Sequence, residues 1–400
     1  MYWRLLRDNR DFRLLYLGTL ISLGGDWFLT VALLDLVLSL TGSATLASLM
    51  LLCQMLPIFF FTPIAGHIVD KVDRRKLMIV VDLARTGACL LPLLARSPAL
   101  LPFAYAGVIL ISIGSAYFEP ASQAALPNIV SAEELGPANV LMGSTWGTML
   151  AVGAAIGGAV TMRFGRDLSF VVDAASFLLS AVILWMMRAR FSEERPHHAH
   201  PPLGESIRET ARYAKTHPRV LALLSVKGGY GIGAGTIAML SVFGKEVFNA
   251  GAFGIGLLFA ARGLGALVGP FLIRIFVRDG DAQYRAIAIA IFFFGAGYAG
   301  LAFSHSLIIG LIFIFIAHLG GGAAWQVSTL GLQRESDDAI RGRVFSADYG
   351  FLTLTMALSC FVAGAMSDRF GPTFATASLA SLCIVMAVGW SAWTWKLWNR

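Results

Sequence analysis

Charge is what this 400-residue sequence has least of: Asp, Glu, Lys and Arg together make up 14% of it, against 57% hydrophobic residues. A soluble domain covers itself with roughly a quarter charged residues, so a chain with 24 acids and 31 bases must present most of its outside to lipid. The mean hydropathy of +0.71 agrees. Cysteine is scarce too. Cys53, Cys89, Cys360 and Cys383 each sit alone inside an apolar run, a pattern with neither a disulfide framework nor metal-ligand spacing. The sequence also lacks a nucleotide-binding loop, a metal cluster and a nucleophile constellation, so neither a membrane enzyme nor a cofactor is expected.

What is present is apolar length. Crossing about 30 Å of hydrocarbon takes a helix of roughly 20 apolar residues. Twelve such runs lie between polar or Gly/Pro breaks, at 13–40, 44–65, 77–95, 101–122, 139–162, 168–188, 219–243, 251–274, 284–303, 306–328, 344–366 and 372–395. The expected fold class is therefore all-α and integral to the membrane. The stretch from Met1 to Arg13 carries bases ahead of a long apolar run without a small-residue cleavage site, and is expected to be a retained cytoplasmic helix end. With that end inside, 23 of the 31 bases fall on cytoplasmic segments. Five (Arg96, Arg163, Arg166, Lys245 and Arg369) fall on outer loops, and Arg85, Lys227 and Arg262 lie within spans. This asymmetry predicts a plasma (inner) membrane protein with both termini cytoplasmic. It also assigns the net charge of +7 to topology and anionic lipid, with no nucleic-acid partner.

One long polar stretch, Arg188 to Arg219, divides the chain into six spans and six spans. The expected domains are a bundle at 1–190, a linker at 191–218 and a second bundle at 219–400. His197, His198 and His200 in that stretch read as a solvated linker rather than a metal tract. The halves resemble each other at an offset of 206 residues: Gly114 matches Gly320, Gly136 matches Gly342, Gly158 matches Gly364, and Arg163-Phe164-Gly165 matches Arg369-Phe370-Gly371. A repeat of this kind predicts two pseudo-symmetric, parallel six-helix bundles around an axis normal to the membrane, with a substrate site midway between them.

The loop after span 2 reads Gly66-His-Ile-Val-Asp70-Lys71-Val-Asp73-Arg74-Arg75-Lys76. It resembles the signature loop of the major facilitator superfamily, Gly-x-x-x-Asp-(Arg/Lys)-x-Gly-(Arg/Lys)-(Arg/Lys), with Asp73 where the second glycine usually stands. Further similarity to the drug:proton antiporter branch, which includes macrolide efflux proteins and the enterobactin exporter, runs through essentially the whole chain. It is carried by Pro63 to Lys76, Phe118 to Pro127, Glu133-Glu-Leu and Arg341-Gly-Arg343-Val344. The resemblance implies a cytoplasmic gate made of Gly66, Asp70, Lys71, Arg74 and Arg75 opposite the start of span 11, where Arg341 and Arg343 lie. Gly153-Ala-Ala-Ile-Gly157-Gly158 in span 5 resembles the antiporter motif Gly-Pro-x-x-Gly-Gly, with Ala154 in place of proline. Gly153-xxx-Gly157 and Gly265-xxx-Gly269 are equally ordinary close-packing surfaces. Gly364-Ala-Met-Ser-Asp368-Arg369-Phe-Gly371 mimics the first loop motif but falls outside by topology, and reads as a helix stop.

Charges inside spans are expensive and mark function. Asp26, about 20 Å into span 1 from Arg13, and Glu119 in span 4 are the candidate proton or substrate carboxylates. Lys227 in span 7 and Arg262 in span 8 are their counterparts in the second half, expected to line one cavity with them. Asp82 and Arg85, three residues apart, are expected to pair as a structural unit. Asp35 is expected near the outer edge, and Asp173 and Asp348 at positions suited to a helix dipole. His318 reads as a proton carrier or a packing residue beside Gly320-Gly-Gly322. The expected function is secondary export of hydrophobic or cationic small molecules by alternating access, coupled to protons because a buried carboxylate can titrate near neutral pH. The alternatives are a proton-independent transporter of an amphiphile such as a lysolipid, and a transport-dead sensor. Small-molecule substrate, protons and membrane lipid are the expected partners of a monomer.

Overall fold

The structure, a computed structural model, describes residues 2–69, 71–189, 191, 203–276 and 280–398. Twelve of its helices are long and apolar enough to cross a membrane: span 1 Arg10–Thr41, span 2 Ala44–Thr62, span 3 Arg74–Leu94, span 4 Pro98–Asn128, span 5 Ala132–Phe164, span 6 Arg166–Met186, span 7 Pro218–Val247, span 8 Gly251–Ile273, span 9 Tyr284–Ala302, span 10 Leu307–Glu335, span 11 Ile340–Phe370 and span 12 Pro372–Leu397. Helices Tyr2–Asp8 and Leu203–Thr216 precede the two sets of six. Several spans outrun their apolar cores because caps, not hydropathy, set their ends. Span 5 starts seven residues before the expected 139, where Ser131 and Glu134 form a capping box. Asp73 caps span 3 by accepting from the Lys76 backbone N–H at 2.9 Å. This gives a local reason for an acid where the loop motif usually has glycine.

The chain forms two compact units. The first comprises Met1–Gly42, Cys53–His197 and Ala250–Ala260; the second comprises Ser43–Leu52, His198–Asn249 and Ala261–Arg400. These differ from a simple division at the linker, because the first turns of span 2 pack in the second unit and those of span 8 in the first. Inside the first unit span 1 packs against spans 5 and 6, and span 3 against spans 4 and 6. Inside the second, span 7 packs against spans 11 and 12, and span 9 against spans 10 and 12. The same pairing recurs one repeat later.

Close backbone approach explains the exchanged turns. A Cβ on Gly158 would lie 2.7 Å from the Ala252 carbonyl oxygen and 3.0 Å from Gly256 Cα, inside the first unit. One repeat later, a Cβ on Gly364 would lie 2.6 Å from the Ala44 carbonyl oxygen, inside the second. In both places only hydrogen fits, and lipid supplies no hydrophobic drive to force the helices together otherwise. Gly165 and Gly371 end spans 5 and 11 at φ +89° and +90°, a left-handed turn that other residues adopt only with strain. Gly136 and Gly342, by contrast, meet nothing within 4 Å.

Span 7 is the irregular one. Its α-helix Pro218–Gly233 passes into a 3₁₀ turn at Ala234–Ala238, one α turn at Met239–Val242 and a π turn at Phe243–Val247. The glycine-rich segment 228–235 lies against Phe351, Thr355 and Ser359 of span 11, and the Ser359 hydroxyl donates to the Ile232 carbonyl. Such breaks inside the membrane persist only where neighbours re-satisfy the backbone.

Gly158→Ala should therefore destabilise the protein by about 1–3 kcal/mol, read as a fall in the thermal unfolding midpoint in detergent. Gly136→Ala should leave the midpoint unchanged or raise it. Equal midpoints for Gly158→Ala and wild type would contradict the contact.

Candidate functional site

In the first unit four in-span carboxylates, Asp26, Asp82, Glu119 and Asp173, gather around one arginine. Arg85 on span 3 is 4% exposed and Asp82 is fully buried, and the two pair at 3.4 Å. The guanidinium lies between the rings of Phe118 and Phe177, at 5.1 and 5.0 Å from their centroids. Gly114 on span 4 makes the room, since a Cβ there would come within 2.8 Å of Arg85 Nε. Asp26 on span 1, Glu119 on span 4 and Asp173 on span 6 each interact electrostatically with Arg85 as well. Asp26 interacts with Glu119, Asp82 and Asp173 in turn.

The four carboxylates differ in access. Glu119 is exposed although it sits well inside its span, and Asp26 is half-buried. Asp173 is fully buried. Its carboxylate accepts from the Cys89 thiol at 3.1 Å and from the Ser176 hydroxyl at 3.2 Å, and it faces Gly25 one residue before Asp26. The expectation that Asp173 serves the helix dipole gives way. It lies about 10 Å into span 6, beyond the first turn where the dipole acts. Asp35 is buried and pairs at 2.5 Å with Arg166, one of the bases expected on an outer loop.

In the second unit Lys227 and Asp348 form a buried ion pair. Lys227 also donates to the Thr329 hydroxyl at 3.0 Å and sits 4.5 Å from the Trp325 ring centroid. Asp348, assigned to a dipole from its position, is thus the partner of a base on another span. Arg262 is buried and interacts electrostatically with Tyr230, Tyr298, His318 and Cys360. His318 is buried with its Nε2 2.9 Å from the Tyr298 hydroxyl, and its Cβ would lie 2.9 Å from one on Gly265. Asp26 and Glu119 belong to the first unit, and Lys227 and Arg262 to the second.

Of the loop residues, Asp70 and the histidine tract 197–200 lie outside the described residues, and Gly66 lies in the helix that continues span 2. Lys71 is exposed in the turn. Arg74 is buried and donates to the carbonyls of Ala124 (2.9 Å) and Phe191 (3.2 Å). Arg75 donates to the carbonyls of Leu184 (2.8 Å) and Trp185. These carbonyls belong to the last turns of spans 4 and 6 and the chain just after, groups that a helix end leaves without intrahelical partners. Arg341 donates to the Ser336 carbonyl at 3.1 Å, and Arg343 pairs with Glu209 of helix Leu203–Thr216. Gly153 and Gly157 face span 1 at Gly24, Trp27 and Phe28, whereas Gly158 faces span 8. At the opposite end Asp368 accepts from the Ser43 hydroxyl and the backbone N–H groups of Ala44 and Thr45, at 2.7 to 3.0 Å. It caps span 2 from span 11.

A family model described as transmembrane secretion effector matches residues 3–397. Macrolide efflux protein A of Streptococcus pyogenes is 25% identical over 368 residues, covering 90% of each chain. Multidrug efflux pump Tap of Mycobacterium bovis (strain BCG / Pasteur 1173P2) is 26% identical over 391 residues, covering 92% of this chain and 90% of the other. A crystal structure of peptide transporter POT superposes with a TM-score of 0.80 at 11% identity, over 97% of this chain and 95% of that one; at that identity the likeness is one of fold.

Arg85→Ala should lower stability by about 3–5 kcal/mol, because it leaves Asp82 buried without its partner. Adding Asp82→Ala should recover part of the loss, giving a non-additive double-mutant cycle in unfolding measurements. Strictly additive losses would refute the pairing.

Proposed function

This chain belongs to the transmembrane secretion effector family of the major facilitator superfamily, and we propose that it exports hydrophobic or cationic small molecules across the plasma membrane in exchange for protons, by alternating access. It is a multi-pass membrane transporter, not an enzyme. The direction of transport is supported by the relatives, which are named as efflux proteins.

The observation that carries proton coupling is the gathering of Asp26, Asp82, Glu119 and Asp173 around Arg85. One guanidinium balances one carboxylate, and Asp82 is the partner at 3.4 Å. Asp26, Glu119 and Asp173 share that same guanidinium, and in a low-dielectric interior a proton is the simplest counterion for the acid left in excess. Access then divides the labour. Glu119, exposed, exchanges protons with water; Asp26, half-buried and in the field of both Glu119 and Arg85, holds the proton that biases the bundle. Asp82 with Arg85 stays as the fixed charge, and Asp173 is held by Cys89 and Ser176. Adding or removing a proton at Asp26 changes the charge balance around Arg85, and a ligand or proton shifts conformation only through such a difference between states.

In this reading both termini are cytoplasmic, following the distribution of bases, and the loop at 66–76 with Arg341 and Arg343 forms the gate. Arg74 and Arg75 tie the start of span 3 to the ends of spans 4 and 6, so that the first-unit side of the gate moves as one rigid piece. Arg343 ties the start of span 11 to the linker helix through Glu209. Lys227 with Asp348, and Arg262, are the second unit's candidates for substrate contact. The working unit is the single chain.

The test is transport in inside-out vesicles with an acidic lumen. A hydrophobic cationic dye should enter, driven by the pH gradient, and release lumenal protons, and both signals should be lost in Glu119→Gln and Asp26→Asn. Dye flux that ignores the pH gradient in wild type would instead favour an uncoupled amphiphile transporter. Intact coupling in both variants would defeat the assignment of the carboxylates.

A further inference from the structure

On the face of the second unit between spans 7, 9 and 12 lies a groove of about 370 Å³, lined by Ser225, Val226, Gly229, Ile291, Met386, Gly389, Trp390 and Trp393. Its depth comes from two missing side chains. A Cβ at Gly389 would meet nothing within 4 Å, and one at Gly229 would meet only the tip of Met386 at 3.0 Å. Its polar wall groups are occupied by one another. Trp390 Nε1 donates to the Ala222 carbonyl at 2.9 Å and to the Ser225 hydroxyl at 3.1 Å, and that hydroxyl donates to the same carbonyl at 2.6 Å. The part of any occupant that lies in the groove therefore finds apolar contact and no hydrogen-bond partner, which suits hydrocarbon.

The end of the groove is different. Spans 7 and 9 begin there and span 12 ends there. Lys396, exposed, follows Gly389 by seven residues and Trp393 by three, so it continues the groove face of span 12 by a further turn. Arg285, exposed, sits about 9 Å from Ile291 along span 9 and is held over the Trp395 ring at 5.4 Å. Arg219, on the groove face of span 7 two turns before Val226, is engaged with Glu335 at 3.3 Å. Lys396 thus stands on the groove face where the apolar slot opens, with Arg285 at the same level about 120° around span 9 from Ile291.

We propose that this groove binds an anionic phospholipid. One acyl chain lies along Val226, Gly229, Ile291 and Met386 against Trp390 and Trp393, and the phosphate-bearing headgroup meets Arg285 and Lys396. The charge at the mouth decides between occupants. A hydrophobic cation would have to pass two positive side chains to enter, whereas an anionic lipid is drawn to them, at an expected gain of about fivefold in affinity per base. Trp393 is 51% exposed, so a lipid reaches the slot from the bilayer without any movement of the helices. The bases are also among those that orient the protein, so the same charges that set topology would fix a lipid to this seam.

The experiment uses the full chain, purified in detergent, delipidated and titrated with palmitoyl-oleoyl phosphatidylglycerol or phosphatidylcholine, with bound lipid counted by native mass spectrometry. Wild type should retain the phosphatidylglycerol preferentially. Arg285→Gln with Lys396→Gln, both at exposed positions, should weaken phosphatidylglycerol binding by at least about tenfold and weaken binding of phosphatidylcholine, whose phosphate is neutralised by its own choline, much less. Gly389→Leu, which fills the groove, should displace both lipids. As a check on wild type alone, phosphatidylglycerol with brominated acyl chains should quench tryptophan fluorescence more than its phosphatidylcholine counterpart, with part of the difference lost in Trp393→Phe. Equal retention of the two lipids, or retention unaffected in a monodisperse Gly389→Leu variant, would overturn the proposal. So would a Gly389→Leu variant that loses binding of a hydrophobic cationic dye while keeping its phosphatidylglycerol, since the groove would then be a substrate path.

Discussion

A guanidinium in hydrocarbon must be surrounded by groups that answer its charge, and much of the first unit is arranged to meet that demand for Arg85. Asp82 supplies the ion pair, Phe118 and Phe177 supply ring faces, and Gly114 withholds a side chain so that span 4 can close on span 3. Spans 1, 4 and 6 each bring one more carboxylate within its field. Four helices are thus tied to one charge. Because packed interiors do not deform continuously, a change of charge anywhere in that set would be felt by all four helices together.

Packing in lipid imposes a second demand. Apolar side chains gain nothing by leaving lipid for one another, so helices hold together through small residues that let backbones touch. Gly158 against Ala252 and Gly256, and Gly364 against Ala44 and Ser48, are the same contact made once in each unit. They account for the exchanged turns, which carry the start of span 8 into the first unit and the start of span 2 into the second. Asp368 strengthens the second of these by capping span 2. That acid, in a segment that mimics the gate loop, has become a fixed cap.

The scarcity of charge made the membrane fold legible, and the glycine repeat made the two sixes legible, because both are properties of the chain read along its length. The site was legible only in part. Asp82 and Arg85 are neighbours on one helix, so their pairing could be read from spacing, but what spans 1, 4 and 6 bring to them could not. Asp173 and Asp348 were assigned to helix ends because sequence gives distance from a helix start and not the identity of the facing helix. For both, the partner lies on another span: Cys89 for one and Lys227 for the other. The basic loop shows the same limit. Its charges oriented the chain, but their partners, carbonyls at the ends of spans 4 and 6 for Arg74 and Arg75, are backbone groups that no side-chain pattern announces.

The repeat itself separates packing from chemistry. At the offset of 206, Gly114, Gly158 and Gly165 return as Gly320, Gly364 and Gly371, yet none of the charged residues of the first-unit cluster returns. Asp26 corresponds to Ile232, whose carbonyl receives the Ser359 hydroxyl where span 7 breaks. Arg85 corresponds to Ile291 in the wall of the groove between spans 7, 9 and 12, and Glu119 to Trp325, the ring beside Lys227. If the carboxylates served only to hold a six-helix bundle together, the second bundle, built on the same pairing of spans, would need them too. It is held without them, by a different buried pair on different spans. The acids beyond Asp82, the fixed partner of Arg85, are therefore surplus to the architecture the two units share, and that surplus is the strongest reason to look for the transport chemistry there.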